Sequence, residues 1–359
     1  MKKIGVGVIG ASPLRPGWAV TAHLPALAAL DRYELRAVAS SSTESADAAG
    51  KAYAVPAFAS AEEMIAHPDV ELVVVTVKIA HHHRLVGQAI DAGKMVMSEW
   101  PLGVDFGQSE NLASRAASAG IANLVGLQAR MAPSIRYARD LVAQGYIGDV
   151  LATTMVGSGI AWAGVSDTAH AYMFDAKQNA TLVSVPTMHA LDALQFVLGD
   201  FADIRAKGAI RRPSVMMANT GEHILSSATD HLAIAGSLQS GAVASIFYRG
   251  GTSRGENFRW EINGSEGDIV LTSPVGNLQV LAPTLLGGHG DETVVREMAI
   301  PADYELAPNA PEGPAANVAR LYAAFAADLD DGTPVANPPD FAHAIRLHRT
   351  LDRITEAAQ

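Results

Sequence analysis

The chain has 359 residues, 49% of them hydrophobic and 18% charged, a length and mixture that suit two globular domains better than one. It has no Cys, which excludes disulfides, thiolate metal ligands and a cysteine nucleophile. A formal net charge of −11 argues against nonspecific nucleic-acid binding, which needs a basic surface.

No stretch reaches the roughly 18 consecutive apolar residues of a membrane helix, so no membrane partner is expected. The opening MKKIGVGVIGAS has a basic start and an apolar run. That run is short and Gly-interrupted, and it leads into a loop and helix rather than a cleavage site. A cytoplasmic home is expected.

In chain order, Lys3 to Ile9 reads as a strand and Ala19 to Leu30 as a helix. Glu34 to Ala39 is a second strand, followed by helices at Ser45 to Tyr53 and Glu62 to Ala66. Leu72 to Val77 is a continuous β-branched run, as in strands buried on both faces. His82 to Ala92 is a helix closed by Gly93, and Met95 to Ser98 a strand. Phe106 to Ala119 is a helix closed by Gly120, and Asn123 to Leu127 a strand. This alternation predicts an α/β fold with a parallel, doubly wound sheet over 1–125.

From about residue 128 the texture changes. A helix at Pro133 to Gln144, an extended run at Val150 to Ser158 and a helix from about Thr181 to Leu198 come first. Strands follow at Ile204 to Ile210, His231 to Leu238, Val243 to Tyr248, Phe258 to Gly264, Gly267 to Thr272 and Leu278 to Leu281. NGSEGDI at 263–269 reads as a turn between two of them. The expectation for 126–359 is an α+β domain on a large open, mostly antiparallel sheet. Late helices at Asn317 to Asp331 and Phe341 to Ala358 end the chain, the last expected to pack back toward the first domain.

The loop after the first strand carries glycine where a dinucleotide pyrophosphate rests in Rossmann folds. Gly10 is in place, the second glycine position is Ser12, and Gly17 arrives late after an inserted Pro-Leu-Arg-Pro. Alone this motif also fits a tight turn without ligand; the alternating pattern behind it favours a cofactor. The second strand ends in Ser40, Ser41, Ser42 and Thr43, with no carboxylate to bind ribose hydroxyls or repel a 2′-phosphate. With Arg15 nearby to supply charge, NADP is expected ahead of NAD, although hydroxyls tolerate either. Trp18, Val77, His82, Glu99, Trp100 and Gln128 complete the expected cofactor contacts.

The order of GVIG at 7–10, HLPAL at 23–27, GKMVMSEWPLG at 93–103, QARMAP at 128–133, GYIGDV at 145–150 and MHALD at 188–192 resembles the Gfo/Idh/MocA oxidoreductase family. GWAVTAHLPA, SEWPLG, LQARMAPSI and AQGYIGDV resemble one branch of it more closely, that of the fungal galactose-pathway repressor. That resemblance implies an NAD(P)-binding fold whose members include both sugar dehydrogenases and a regulator that contacts a transcription activator.

It also implies a lysine where this chain has Trp100, and an aspartate where it has Val185. The family's histidine is His189, followed by Asp192. Removing a hydroxyl proton as hydride leaves needs a base and a nearby cation. Indole only donates its N–H, so Trp100 replaces neither. His189 is therefore the candidate acid/base, with Asp192 placed at i+3 to orient its ring. His170, Tyr172, Asp175 and Lys177 in TAHAYMFDAKQ are helpers to hand. A catalytically silent cofactor sensor and a merely buried helix histidine are the competing readings. Lys78, at the carboxyl end of a strand, is either a replacement cation or a solvated loop lysine. Trp100 and Trp162 are either rings that stack on nicotinamide or sugar, or plain packing. Arg130 and Gln128 either bind polar substrate groups or tie the domains together. The tract at 81–83 is three consecutive histidines, which point in different directions on a helix, so no metal is expected. The reading is an NAD(P)-dependent oxidoreductase on a sugar, polyol or similar molecule, with a nucleotide-sensing regulator as the alternative. A homodimer or homotetramer through the open sheet is expected.

Overall fold

Six short strands rich in Val, Ile and Ala form one parallel sheet in the first third of the chain, in the order β3-β2-β1-β4-β5-β6. In the computed structural model, which describes residues 2–331 and 337–358, they are β1 (Ile4–Ile9), β2 (Tyr33–Ala39), β3 (Ala57–Phe58), β4 (Leu72–Val75), β5 (Met95–Glu99) and β6 (Asn123–Gly126). The helices between them are α1 (Leu24–Ala28), α2 (Thr43–Tyr53), α3 (Ala61–Ile65), α4 (His82–Asp91) and α5 (Phe106–Ser118). β1 and β4 are buried along their whole length, because helices cover both faces of a parallel sheet. Each fully buried Val or Leu of β4 contributes roughly 1.5–3 kcal/mol relative to exposure. Three of these helices, α2, α3 and α5, start where their sequence supplies a cap: the side chains of Ser42, Ser60 and Asp105 each accept a backbone N–H three residues on.

The chain then enters α6 (Pro133–Ala143), β7 (Val150–Gly159), β8 (Val165–Ser166) and α7 (Met188–Leu198). The strands that follow are β9 (Phe201–Ala209), β10 (Ser214–Met217), β11 (His223–Leu225), β12 (His231–Leu238), β13 (Val243–Gly250), β14 (Phe258–Gly264), β15 (Gly267–Ser273), β16 (Thr284–His289) and β17 (Arg296–Glu297). Eight of them form a sheet in the order β17-β16-β15-β14-β7-β13-β12-β9, antiparallel except for the β7–β13 pair. Burial alternates along β12 and β13, so one face carries the core and the other does not. β8, β10 and β11 make a separate small sheet. The last helices are α8 (Pro314–Asp331) and α9 (Phe341–Ala357).

Two units emerge: Met1–Leu127 with Leu306–His348, and Gln128–Glu305 with Arg349–Gln359. The second stretch of the first unit brings α8 and the start of α9 to the parallel sheet's unit, and α9 continues into the second. The helical run Ala176–Leu198 is long and apolar enough by composition to cross a membrane, yet 72% of its most apolar window is buried in the protein. Every residue from Met188 to Leu194 is buried, which accounts for a helix that is apolar nearly all round.

Two local expectations differ from the structure. Leu278–Leu281 is not a strand: Val280 donates its N–H to the Asn277 carbonyl and the segment turns, with Leu278 fully buried. The neighbour of β15 is instead β16, whose two glycines read as a loop. The expected helix at Ala19 to Leu30 opens with a π-helical turn over Ala19–His23, and a second such turn, Val183–Thr187, precedes α7.

Candidate functional site

In the first unit the site begins where β1 ends. Gly10 has φ of +99°, and a Cβ there would lie 2.7 Å from the Thr76 carbonyl oxygen. Only glycine fits this turn without strain. The Gly10 N–H donates to the Ala39 carbonyl at 2.9 Å, which ties the turn to the tip of β2. Beyond that tip Ser40 is buried, and its hydroxyl finds no partner among the described residues. Ser41 and Thr43 are exposed, as is Arg15. The Ser42 hydroxyl is committed to capping α2, and Ser12 bonds Ser45 at 3.2 Å. The indole N–H of Trp18 is buried, again without a partner among the described residues. A bare backbone turn with two unpartnered buried polar groups beside it fits a dinucleotide's phosphates and first ribose.

Across the switch point the loops after β4 and β5 are tied together from below. His82 is 1% exposed; Nδ1 lies 2.9 Å from the Pro101 carbonyl and Nε2 3.0 Å from that of Val77. Burial lowers its pKa, and the neutral ring has one N–H to share between the two carbonyls. His82 thus ties the loops after β4 and β5 to each other. His81 is exposed, and His83 turns to Asn111 at 3.0 Å, so the three histidines diverge. Lys78 is exposed at the carboxyl end of β4.

Trp100, joined to Pro101 by a cis peptide, is 4% exposed. Its ring packs against the imidazole of His348, centroids 4.5 Å apart. His348 is itself buried and hydrogen-bonded to Ser109 at 2.9 Å, and burial brings its pKa down to about 4. Beside Trp100, Glu99 meets His23 Nε2 at 3.0 Å, and His23 Nδ1 meets the Tyr322 hydroxyl at 2.8 Å. His23 sits in the quoted HLPAL; Tyr322 and His348 lie on late helices, where no local pattern marks them.

In the second unit Gln128 is fully buried, and neither its amide oxygen nor its nitrogen has a partner among the described residues. Arg130 grips Asp192 with two N–H donors, Nε at 2.7 Å from Oδ2 and a second to Oδ1. Both are nearly inaccessible, and the guanidinium lies 4.8 Å over the Phe196 ring. Asp192, expected to orient His189, has Arg130 as a partner for both of its carboxylate oxygens, and Arg130 is enclosed with it. His189 is 2% exposed in the first turn of α7, directly after the π-helical turn that holds Val185.

The loop helpers are mostly structural. His170 bonds Asp167 at 2.9 Å, and Asp175 accepts the Lys177 N–H at 3.0 Å. Trp162 is 6% exposed and donates its indole N–H to the Ala180 carbonyl at 3.0 Å, which makes it a packing residue. Tyr172 is half-buried, and desolvation raises its pKa.

Residues 4–127 match the oxidoreductase family with an NAD-binding Rossmann fold (GFO_IDH_MocA), and residues 133–273 match the Gal80p C-terminal domain. A dehydrogenase, aclE, from Aspergillus oryzae is 30% identical over 74% of this chain and 75% of its own. The galactose/lactose metabolism regulatory protein GAL80 of Saccharomyces cerevisiae is 26% identical over 77% of this chain and 68% of its own. A crystal structure of a super-repressor mutant of Gal80p from S. cerevisiae shares the fold at a TM-score of 0.88, with 22% identity, covering 99% of this chain and 96% of that one. Levoglucosan dehydrogenase in complex with NADH and levoglucosan does so at 0.83, with 19% identity, over 99% and 97%. Fold and sequence together define an oxidoreductase-family protein with an NAD-binding Rossmann unit. The chain belongs to the Gfo/Idh/MocA family, in its Gal80-like branch.

Proposed function

We propose that the protein is an NAD(P)-dependent oxidoreductase that acts on a hydroxyl or carbonyl of a sugar, polyol or similar small molecule, with His189 as its acid/base. The observation that carries this reading is the placing of His189 in the turn after a π-helical interruption, a distortion that marks functional sites more often than plain helix. Similarity to a dehydrogenase over three quarters of the chain supports it.

When bound, the nicotinamide supplies the hydride donor or acceptor. Gly10 gives the backbone approach to its phosphates, and Ser40, Ser41, Thr43 and Arg15 are assigned to a 2′-phosphate, hence NADP ahead of NAD. His189 takes the hydroxyl proton in oxidation and returns it in reduction. The Arg130–Asp192 pair holds α7 in place under it, and its buried charges are mutually neutralised. Lys78 is assigned the cation that an alkoxide needs, and Tyr172, kept protonated by burial, a donor to substrate.

A second reading has its own support. The slot that carries lysine in sugar dehydrogenases of the family holds Trp100, buried against His348, and residues 133–273 match Gal80p. On this reading the protein binds nucleotide and acts by contacting another protein.

One experiment separates them: titrate the purified protein with NADPH and NADH by fluorescence, then add a panel of sugars, polyols and their keto forms while following nicotinamide absorbance. The oxidoreductase reading expects turnover that falls about 10²–10⁴-fold in His189→Gln with nucleotide affinity unchanged. Binding without turnover across the panel would favour the regulator. Binding of neither nucleotide would sink both.

A further inference from the structure

Glu99 ends β5, at the carboxyl edge of the parallel sheet, in the half opposite the hydroxyl-rich tip of β2. If the ribose next to adenine takes that tip, the nicotinamide half of a dinucleotide falls to β4, β5 and β6. The carboxylate is 15% exposed and so reaches the surface while mostly enclosed. Space for it is made by Gly126, its register partner on β6: a Cβ there would collide with Oε1. No Lys or Arg pairs with Glu99 among the described residues; its partner is His23.

On its other side His23 meets the Tyr322 hydroxyl. Tyr322 is fully buried, and desolvation raises its pKa far above the usual value, so it remains an O–H donor. Its O–H given to Nδ1 leaves the imidazole proton on Nε2, aimed at Glu99. The chain from Tyr322 through His23 therefore holds the carboxylate in place through an imidazole and a phenol rather than through a Lys or Arg.

We propose that Glu99 is the charge that sets this protein's preference between nucleotide redox states: the carboxylate favours the cationic oxidised nicotinamide over the neutral reduced ring, and His23 and Tyr322 are its positioning residues. The proposal rests on the reading of the first unit as a nicotinamide-nucleotide binder. It applies equally to an enzyme and to a sensor, since it concerns the bound state and not turnover.

The test is the ratio of dissociation constants for reduced and oxidised nucleotide, measured by calorimetry for NAD+ with NADH and NADP+ with NADPH. Glu99→Gln is expected to move that ratio about tenfold toward the reduced form, from the loss of one nearby unit charge in a half-enclosed site. Glu99→Asp keeps the charge and is expected to stay within about twofold of the natural protein. Tyr322→Phe is expected to move the ratio in the same direction as Glu99→Gln but less. Unchanged ratios in a Glu99→Gln protein that binds both forms would overturn the proposal while leaving the cofactor reading standing. A natural Tyr322→Phe ratio would overturn the relay. Failure of the unaltered protein to bind either form would remove the cofactor reading and this inference with it.

Discussion

At the scale of single residues, the chemistry of this chain lies in pairings between distant positions. Arg130 and Asp192 are 62 residues apart, His23 and Glu99 76, and His23 and Tyr322 299. No local spacing encodes such pairs, which is why the sequence marks His189, Asp192 and Arg130 as polar groups of interest without showing that Arg130 and Asp192 meet. What was legible through the family resemblance were departures from its pattern: Trp100 and Val185 stand where it implies a lysine and an aspartate. The Arg130–Asp192 pair yields a direct expectation. Asp192→Ala strands a buried guanidinium and should cost about 3–5 kcal/mol in urea denaturation, whereas Arg130→Met with Asp192→Leu together should cost much less. A single variant no worse than the double would contradict the pairing. His348 yields another. Its folded pKa of about 4 lies below the ordinary 6.5, so between those values the unfolded chain takes up a proton that the folded one refuses. Its stabilising effect is therefore complete above about pH 6.5 and is lost as pH falls toward 4, by about 3 kcal/mol in all. Denaturation midpoints of the natural protein, followed from pH 7 to pH 4, should fall more steeply than those of His348→Leu, which lacks the titrating ring; parallel curves would contradict the argument.

At the scale of elements, five of the six strands of the parallel sheet were legible to within two residues at either end, because strands buried on both faces are uninterrupted β-branched runs, while the two-residue β3 is too short to leave a pattern. The second sheet was less so. β16 carries Gly287 and Gly288 among its six residues, a composition that reads as loop, and only its pairing with β15 makes it a strand. Leu278–Leu281 has the opposite fault: apolar enough for a strand, but with no ladder to join. The two π-helical turns are also invisible beforehand, since one extra residue in a turn leaves no mark on periodicity that short. The strand-to-loop turn at Gly10 is the element whose failure is easiest to read. Gly10→Ala would carry a side chain at φ +99° into contact with the Thr76 carbonyl. A loss of about 1–3 kcal/mol in thermal or urea unfolding is expected, with nucleotide affinity falling at least tenfold because the turn must shift. Unaltered affinity would mean that the phosphates rest elsewhere.

At the scale of the whole molecule, charge and sheet together bear on self-association. With a net charge of −11 per chain, two copies repel over most of their surface, so a stable contact must use a neutral patch. The face of the eight-stranded sheet that carries no core has one. Register places Ala152, Thr154 and Val156 of β7 beside Val243, Ser245 and Phe247 of β13, with Ala233 and Ala235 of β12 next to them. None of these is charged, and Val243 is 62% exposed. Charge on that face stands around this strip, at Arg249 near the end of β13, at Asp203, Arg205 and Lys207 on β9, and at the Arg259–Glu261 pair on β14. A flat strip of small and β-branched side chains packs against its own copy related by a two-fold axis without a buried charge. Covering it requires roughly 800 Å² per chain for a stable dimer. The expected result in sedimentation velocity at micromolar concentration is a dimer or a tetramer built from it. Thr154→Arg with Ser245→Arg, neighbours across β7 and β13, should give monomers that still bind nucleotide, because the first unit is untouched. A natural protein that sediments as a monomer would remove the argument, and an associating double variant would move the contact to another surface.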